Sequence, residues 1–324
     1  MKRILSVIMA IGVFICVLSS CSEEGESRYP LTVNGTPIDS EIFSYYLDSV
    51  WDSPEAMSSK EGRITEATYK CIRYVAVNST FASYGLSLTE GEKVEISDET
   101  NVLWNTFGEY YKSIGVSKET FLKIRTSEEY IEKLRITFFD KGGSDEISDG
   151  VLRGVLTEEF AAFRYVRTPL KDTDVYGNER QLTEEELSEL SMIYTKAANT
   201  ATGLYSIESA YNSISEKFPL SEMSYETAVI DRTDHRFTEV FFNKVKSMKE
   251  GTSTVFQFDG YVYMVHRINI LSEPAIFLDK RSECLSIISE EPLQSKINLM
   301  CNAYHSVRDS ALVGEYYSEV GKNR

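Results

Sequence analysis

Through most of the first 140 residues, apolar side chains recur every three or four positions, the period of a helix with one buried face. Leu31 and Val33 read as a short strand ending at the Asn34-Gly35 turn, with Asp39 or Ser40 placed to cap the next element. The first predicted helix sets Ile42, Phe43, Tyr46, Leu47, Val50 and Trp51 on one side. A second spans 65–84, with Tyr69, Ile72, Val75, Ala76 and Phe81 inward and Gly85 as its stop. A third covers 98–114 and a fourth 118–139, separated by Gly115. These four helices form a helical lobe.

After a further helical stretch at 148–159 the period changes. Phe163-Arg164-Tyr165-Val166 alternates and ends at Pro169, which suits a strand. Helices are expected at 183–198, where Glu184 to Glu186 complement the macrodipole, at 207–217 and at 237–248. A short extended piece lies at 226–230. Two apolar segments, 255–258 and 261–270, flank Asp259-Gly260, a strong hairpin signal. From 275 to 320 the pattern is helical again, with an interruption expected at Pro292. The fold class is therefore α+β. The expected organisation is a helical lobe at 29–160, a small α+β domain at 161–272, and a C-terminal helical segment at 273–324 that returns to cover the lobe's remaining apolar face.

The first twenty residues stand apart. Lys2 and Arg3 precede an apolar run, Ile4 to Leu18, that is too short for a membrane span and reads as a secretory signal peptide over 1–20. Its ending, Leu18-Ser19-Ser20-Cys21, resembles the bacterial lipoprotein cleavage motif, which implies a diacylglyceryl group on Cys21. Two or more acyl chains give durable anchoring. Residues 21–28, polar and acidic, read as a tether. The expected location is outside the cytoplasm, anchored by lipid to the bacterial cell membrane.

Charge narrows the partners. The chain carries a formal charge of -16, and loss of Lys2 and Arg3 with the signal makes it -18. That disfavours nucleic acid and anionic headgroups and is compatible with basic or mixed-charge unfolded chains. Beyond Cys16 and Cys21 the cysteines are Cys71, Cys284 and Cys301. An odd, widely spaced set excludes a disulfide scaffold and fits no zinc site; buried thiols are favoured over a Cys71–Cys301 bridge. His235, His266 and His305 have no metal-ligand spacing, and neither a nucleophile elbow, a phosphate loop nor a dinucleotide fingerprint occurs, so no metal and no cofactor is expected. Asp231, Asp234 and His235 read as a polar loop before a helix.

The element order of 161–272 resembles the parvulin type of peptidyl-prolyl isomerase. Met-Lys-Glu-Gly at 248–251 resembles the parvulin Leu-Lys-Pro-Gly, and Phe-Asp-Gly-Tyr at 258–261 its Phe-Gly-Tyr-His hairpin. Val-Asn-Gly at 33–35, with Tyr-Gly-Leu-Ser at 84–87 and Ile-Gly-Val-Ser at 114–117, resembles the SurA and PrsA extracytoplasmic foldases. The resemblance implies a proline pocket lined by Phe237 and Phe241, with catalytic histidines at the positions read as Arg164 and Val262. Neither substitute replaces a neutral imidazole: arginine is a permanent cation and valine has no polar atom. Glu216 falls where an acidic group is expected, and the glycine-rich loop is missing from 219–229. The implied function is a lipid-anchored chaperone for newly exported, unfolded polypeptides with a degenerate isomerase domain. The alternatives are an active isomerase using other groups, such as Glu216 and a tyrosine, and a surface module that binds one specific protein.

Overall fold

The computed structural model describes residues 28–53, 59–173, 176, 178–200 and 205–324. The signal segment and Cys21 lie outside the described residues. The architecture is α+β, and the chain divides into two compact units, one comprising residues up to 130 together with 297–324, the other 131–296.

In the first unit, Asn34 and Gly35 take φ of +46° and +80°, the left-handed pair that turns β1 (Leu31–Val33) into β2 (Thr36–Ile38). Four helices follow: α1 (Ser40–Ser49), α2 (Lys60–Ser83), α3 (Glu90–Ser113) and α4 (Lys118–Phe139), the last running on into the second unit. Asp39 sits at the N-cap of α1 without a side-chain cap. Ser59 caps α2 by accepting from the Gly62 N–H, and Thr89 with Glu92 forms a capping box on α3, each satisfying amides a helix start leaves unpaired. These caps begin α2 and α3 several residues before the first apolar position that periodicity detects.

The second unit holds α5 (Asp149–Glu159) and a five-stranded antiparallel sheet. Its long strand β3 (Ala161–Pro169) leads into a small hairpin of β4 (Lys171–Thr173) and β5 (Glu179–Gln181), then α6 (Glu184–Thr200) and α7 (Tyr205–Ser215). Strands β6 (Glu222–Met223) and β7 (Ala228–Ile230) pair one edge of β3. After α8 (Glu239–Ser247), β8 (Ser253–Phe258) and β9 (Tyr261–Ile268) form the expected hairpin, with Asp259 and Gly260 at φ +46° and +76°. Strand β9 lies along the other side of β3, so the spatial order is β6-β3-β9-β8, with β7 beside β3.

The sheet is covered on both faces. Phe163, Tyr263 and Val265 pack with Phe237, Phe241 and Phe242 of the α8 region on one side. Val166, Val262 and Met264 pack with Leu190, Tyr194 and Ile214 of α6 and α7 on the other.

The last fifty residues correct the sequence reading. Helix α9 (Pro274–Cys301) runs through Pro292 unbroken. Leu285, Ser289 and Leu293 are buried along it, and Arg135, itself buried, donates to Ser289 Oγ at 3.0 Å and Glu290 Oε2 at 2.7 Å. Packing of that face outweighs the amide the proline removes. The break comes later, where β10 (Ser306–Arg308) pairs with β1 to complete a three-stranded sheet, β10-β1-β2, in the first unit. There α10 (Ser310–Lys322) starts at Asp309, whose carboxylate accepts from the amides of Ala311 and Leu312. It inserts Val313 and Val320 into the core built by Phe43, Leu47 and Cys71.

Candidate functional site

The four residues expected to line one pocket occupy two faces. Register pairs Arg164 with His266 and Thr168 with Val262. Strand side chains alternate, so Arg164 and Val262 point with Val166 and Met264 toward α6 and α7. Phe237 and Phe241 belong to the opposite layer. Glu216 is exposed in the turn that ends α7 and enters neither layer. A one-residue step along each strand reaches the side chains that do meet the phenylalanines, because one residue of register exchanges the faces. They are Tyr165 and Tyr263.

On this face the Tyr165 and Tyr263 rings lie 5.7 Å apart, and Tyr165 meets Phe237 edge-on at 6.0 Å. Phe241, fully buried, supports Phe237 at 4.5 Å from below, and Phe256, Phe258 and Tyr261 extend the layer as partly buried rings. Arg167 stands at the edge. Its guanidinium lies 4.6 Å from the Tyr261 ring centroid, donates to the Tyr263 hydroxyl at 3.4 Å and is held by Glu222 at 2.8 Å. Ser224 fixes the strand backbone, its Oγ accepting from the Tyr165 N–H and its own N–H donating to the Tyr165 carbonyl, both at 2.9 Å.

Electrostatics fix the charge states at this edge. Burial opposes the charge on Arg167, but the hydrogen bonds to Tyr263 and Glu222 outweigh it and raise the pKa. Burial also raises the Tyr263 phenol, against the pull of Arg167. At neutral pH the pair is a fixed cation and a neutral hydroxyl, neither suited to accepting a proton. The uncovered parts of Tyr165 and Tyr261, beside that cation, leave apolar ring edge and a cation at the rim of an otherwise buried layer.

On the other face, Thr168 shares 2.7 Å hydrogen bonds with the Tyr194 hydroxyl and with Ser221 Oγ, which in turn donates to the Phe218 carbonyl. These buried hydroxyls are mutually satisfied, and Thr168 also lines a cavity of about 160 Å³ beside Leu182, Phe218 and Pro219. His266 is buried beside Ser253, with 3.0 Å between Nδ1 and Oγ. In the loop at 231–236, Asp231 accepts from the amide and hydroxyl of Thr233, and Asp234 pairs with Arg236. Among the described residues no set of three or more ligating side chains converges to hold a metal, and no helix is long and apolar enough to cross a membrane.

No family model matches the sequence, and no curated protein does. Solved structures of foldases are similar along most of the chain. The foldase protein PrsA from Streptococcus pneumoniae is 13% identical, covers 86% of this chain and 88% of its own, and gives a TM-score of 0.33. PrsA from Lactococcus lactis is 10% identical, with 91% and 99% covered and a TM-score of 0.35. PrsA from Bacillus subtilis is 14% identical, with 80% and 84% covered and a TM-score of 0.27. TM-scores at this level leave the functional reading to rest on the side chains described above.

Proposed function

We propose that this chain is an extracytoplasmic chaperone that captures unfolded, newly exported polypeptides, tethered to the membrane through lipid on Cys21. In this reading residues 29–160 are the foldase-like helical lobe, 161–272 a parvulin-like domain without isomerase catalysis, and 273–324 the segment that completes the lobe. The observation that carries it is the pair of partly buried rings, Tyr165 and Tyr261, resting on buried Phe237 and Tyr263 and edged by Arg167, whose cation Glu222 holds, with no imidazole among these side chains. Capture by such a surface lowers the free concentration of aggregation-prone chain without bond chemistry.

Two assays on the purified protein test the reading together. Light scattering of several chemically denatured proteins diluted into buffer should fall when the chain is present, for more than one client. Acceleration of prolyl isomerisation in a peptide should not exceed the buffer control, since lowering a barrier of about 18–20 kcal/mol needs preferential stabilisation of the twisted amide. Protection of no client, together with tight binding of a single protein, would replace the chaperone by a specific interaction module. Isomerisation that is lost on Tyr263→Phe would restore the active isomerase.

A further inference from the structure

Strand β8 is an edge without the usual protection. Among the described residues it pairs only with β9, one residue to one from Ser253↔His266 to Phe258↔Tyr261, so no bulge interrupts its six residues; the two-to-one step of Gly251 and Thr252 against Arg267 lies just before them. Its sequence, STVFQF, contains no charge, no proline and no glycine. Soluble proteins commonly guard such edges with lysine, proline, a bulge or brevity. The opposite edge of the same sheet shows the last of these, divided into β6 and β7 of two and three residues.

The hairpin fixes which backbone groups are free. A two-residue turn makes Phe258 and Tyr261 a hydrogen-bonded pair, and alternation then directs the amides and carbonyls of Phe256 and Thr254 toward β9. The Arg267 N–H bond to the Thr252 carbonyl continues this phase. Ser253, Val255 and Gln257 therefore turn their N–H and C=O groups outward. Phe256 and Phe258, on the same strand, pack 5.4 and 5.1 Å from Phe241, in the aromatic layer of the candidate site. Edge and aromatic face are one continuous surface.

We propose that β8 takes an extended segment of an unfolded client as an added antiparallel strand, about 20 Å long at ~3.4 Å per residue, with alternate client side chains lying beside Phe256 and Phe258. Backbone pairing reads no sequence, and the rings favour apolar and aromatic side chains, so the occupant is an uncharged segment rich in β-branched or aromatic residues. This rests on the chaperone reading and names how that surface holds its client.

The probe is a fluorescein-labelled decapeptide of alternating threonine and valine, flanked by lysine pairs, and its twin N-methylated at every second residue. With the full chain, the first should bind and slow amide exchange across 253–258. The twin should bind at least about tenfold more weakly, equivalent to about 1.4 kcal/mol. Gln257→Pro removes one outward N–H while sparing the bonds to β9, and should weaken the unmodified peptide by a similar factor at an unchanged thermal midpoint. Equal binding of both peptides, or exchange over β8 that does not respond, overturns the proposal without any variant. A concentration-dependent dimer that Gln257→Pro dissociates, with no peptide bound, assigns the edge to a second copy and also overturns it. Aggregation suppression that Gln257→Pro leaves intact removes the edge and keeps the chaperone; a peptide seated on β8 of a chain that protects no client does the reverse.

Discussion

Truncating Phe241 to alanine tests how far the aromatic layer acts as core. The side chain is fully buried, and the ring centroids of Phe163, Phe237, Phe256, Phe258 and Tyr263 lie 4.5 to 5.5 Å away. A buried aromatic removes roughly 150–250 Å² from water, worth about 4–6 kcal/mol at ~25 cal/mol/Å². Alanine keeps part of this, and a compact unfolded chain lowers the figure further. The cavity left among rigid rings adds to the loss, which places the expected destabilisation at about 3–5 kcal/mol. Urea unfolding followed by far-UV circular dichroism measures it. Trp51 and Trp104 both lie in the first unit, so tryptophan emission from the same samples follows that unit separately from the total helix and sheet signal. A loss below about 1.5 kcal/mol would mean that the aromatic layer collapses around the gap, and Phe241 would then be a deformable pocket wall instead of its support.

Burial lowers the pKa of His266, which faces Ser253 Oγ and sits across from Arg164. The folded state thus prefers the neutral ring: its contribution is complete above the unfolded value of about 6.5 and is lost as pH falls through the lower folded value. The urea midpoint should drop between pH 7.5 and 5.5, and His266→Gln should flatten that drop; an equal drop in the variant refutes the assignment. Pro292 is exposed on an otherwise continuous helix, so Pro292→Ala should stabilise by about 1–3 kcal/mol and raise the thermal midpoint. No rise would show that the proline ring makes contacts worth as much as the missing amide. Mass spectrometry of the protein from a bacterial membrane should find diacylglyceryl on Cys21 and none after Cys21→Ala; an unmodified chain beginning elsewhere would remove the tether.

The hairpin at Asp259-Gly260 and the helix α4 were legible because each carries a local signal, a left-handed dipeptide in one case and a long apolar period in the other. Which face of the sheet a residue occupies was not. Strands β3 and β9 are covered on both sides, so AAFRYVRTP and YVYMVHRI offer no clean alternation of apolar with polar positions to separate Arg164 from Tyr165 or Val262 from Tyr263. Counting outward from the turn would have resolved it, since Phe258↔Tyr261 fixes that 261, 263 and 265 share one side. Strands β4, β5 and β10 have three residues each and almost no apolar content, too little for a period of two to register. Pro292 misled for the opposite reason, as a strong local breaker overruled by the packing of Leu285, Ser289 and Leu293.

Cys71, Cys284 and Cys301 are unpaired and buried, and burial raises all three thiols, Cys284 to about 11 and Cys71 further. Disulfide exchange proceeds through the thiolate, and it needs access to the sulfur as well as ionisation. In the proposed role the chain would be surrounded by partners whose own cysteines are still oxidising and shuffling. With these three sulfurs buried and their ionisation disfavoured, such a partner would be released with its cysteine pairing unchanged and without a mixed disulfide to any of them.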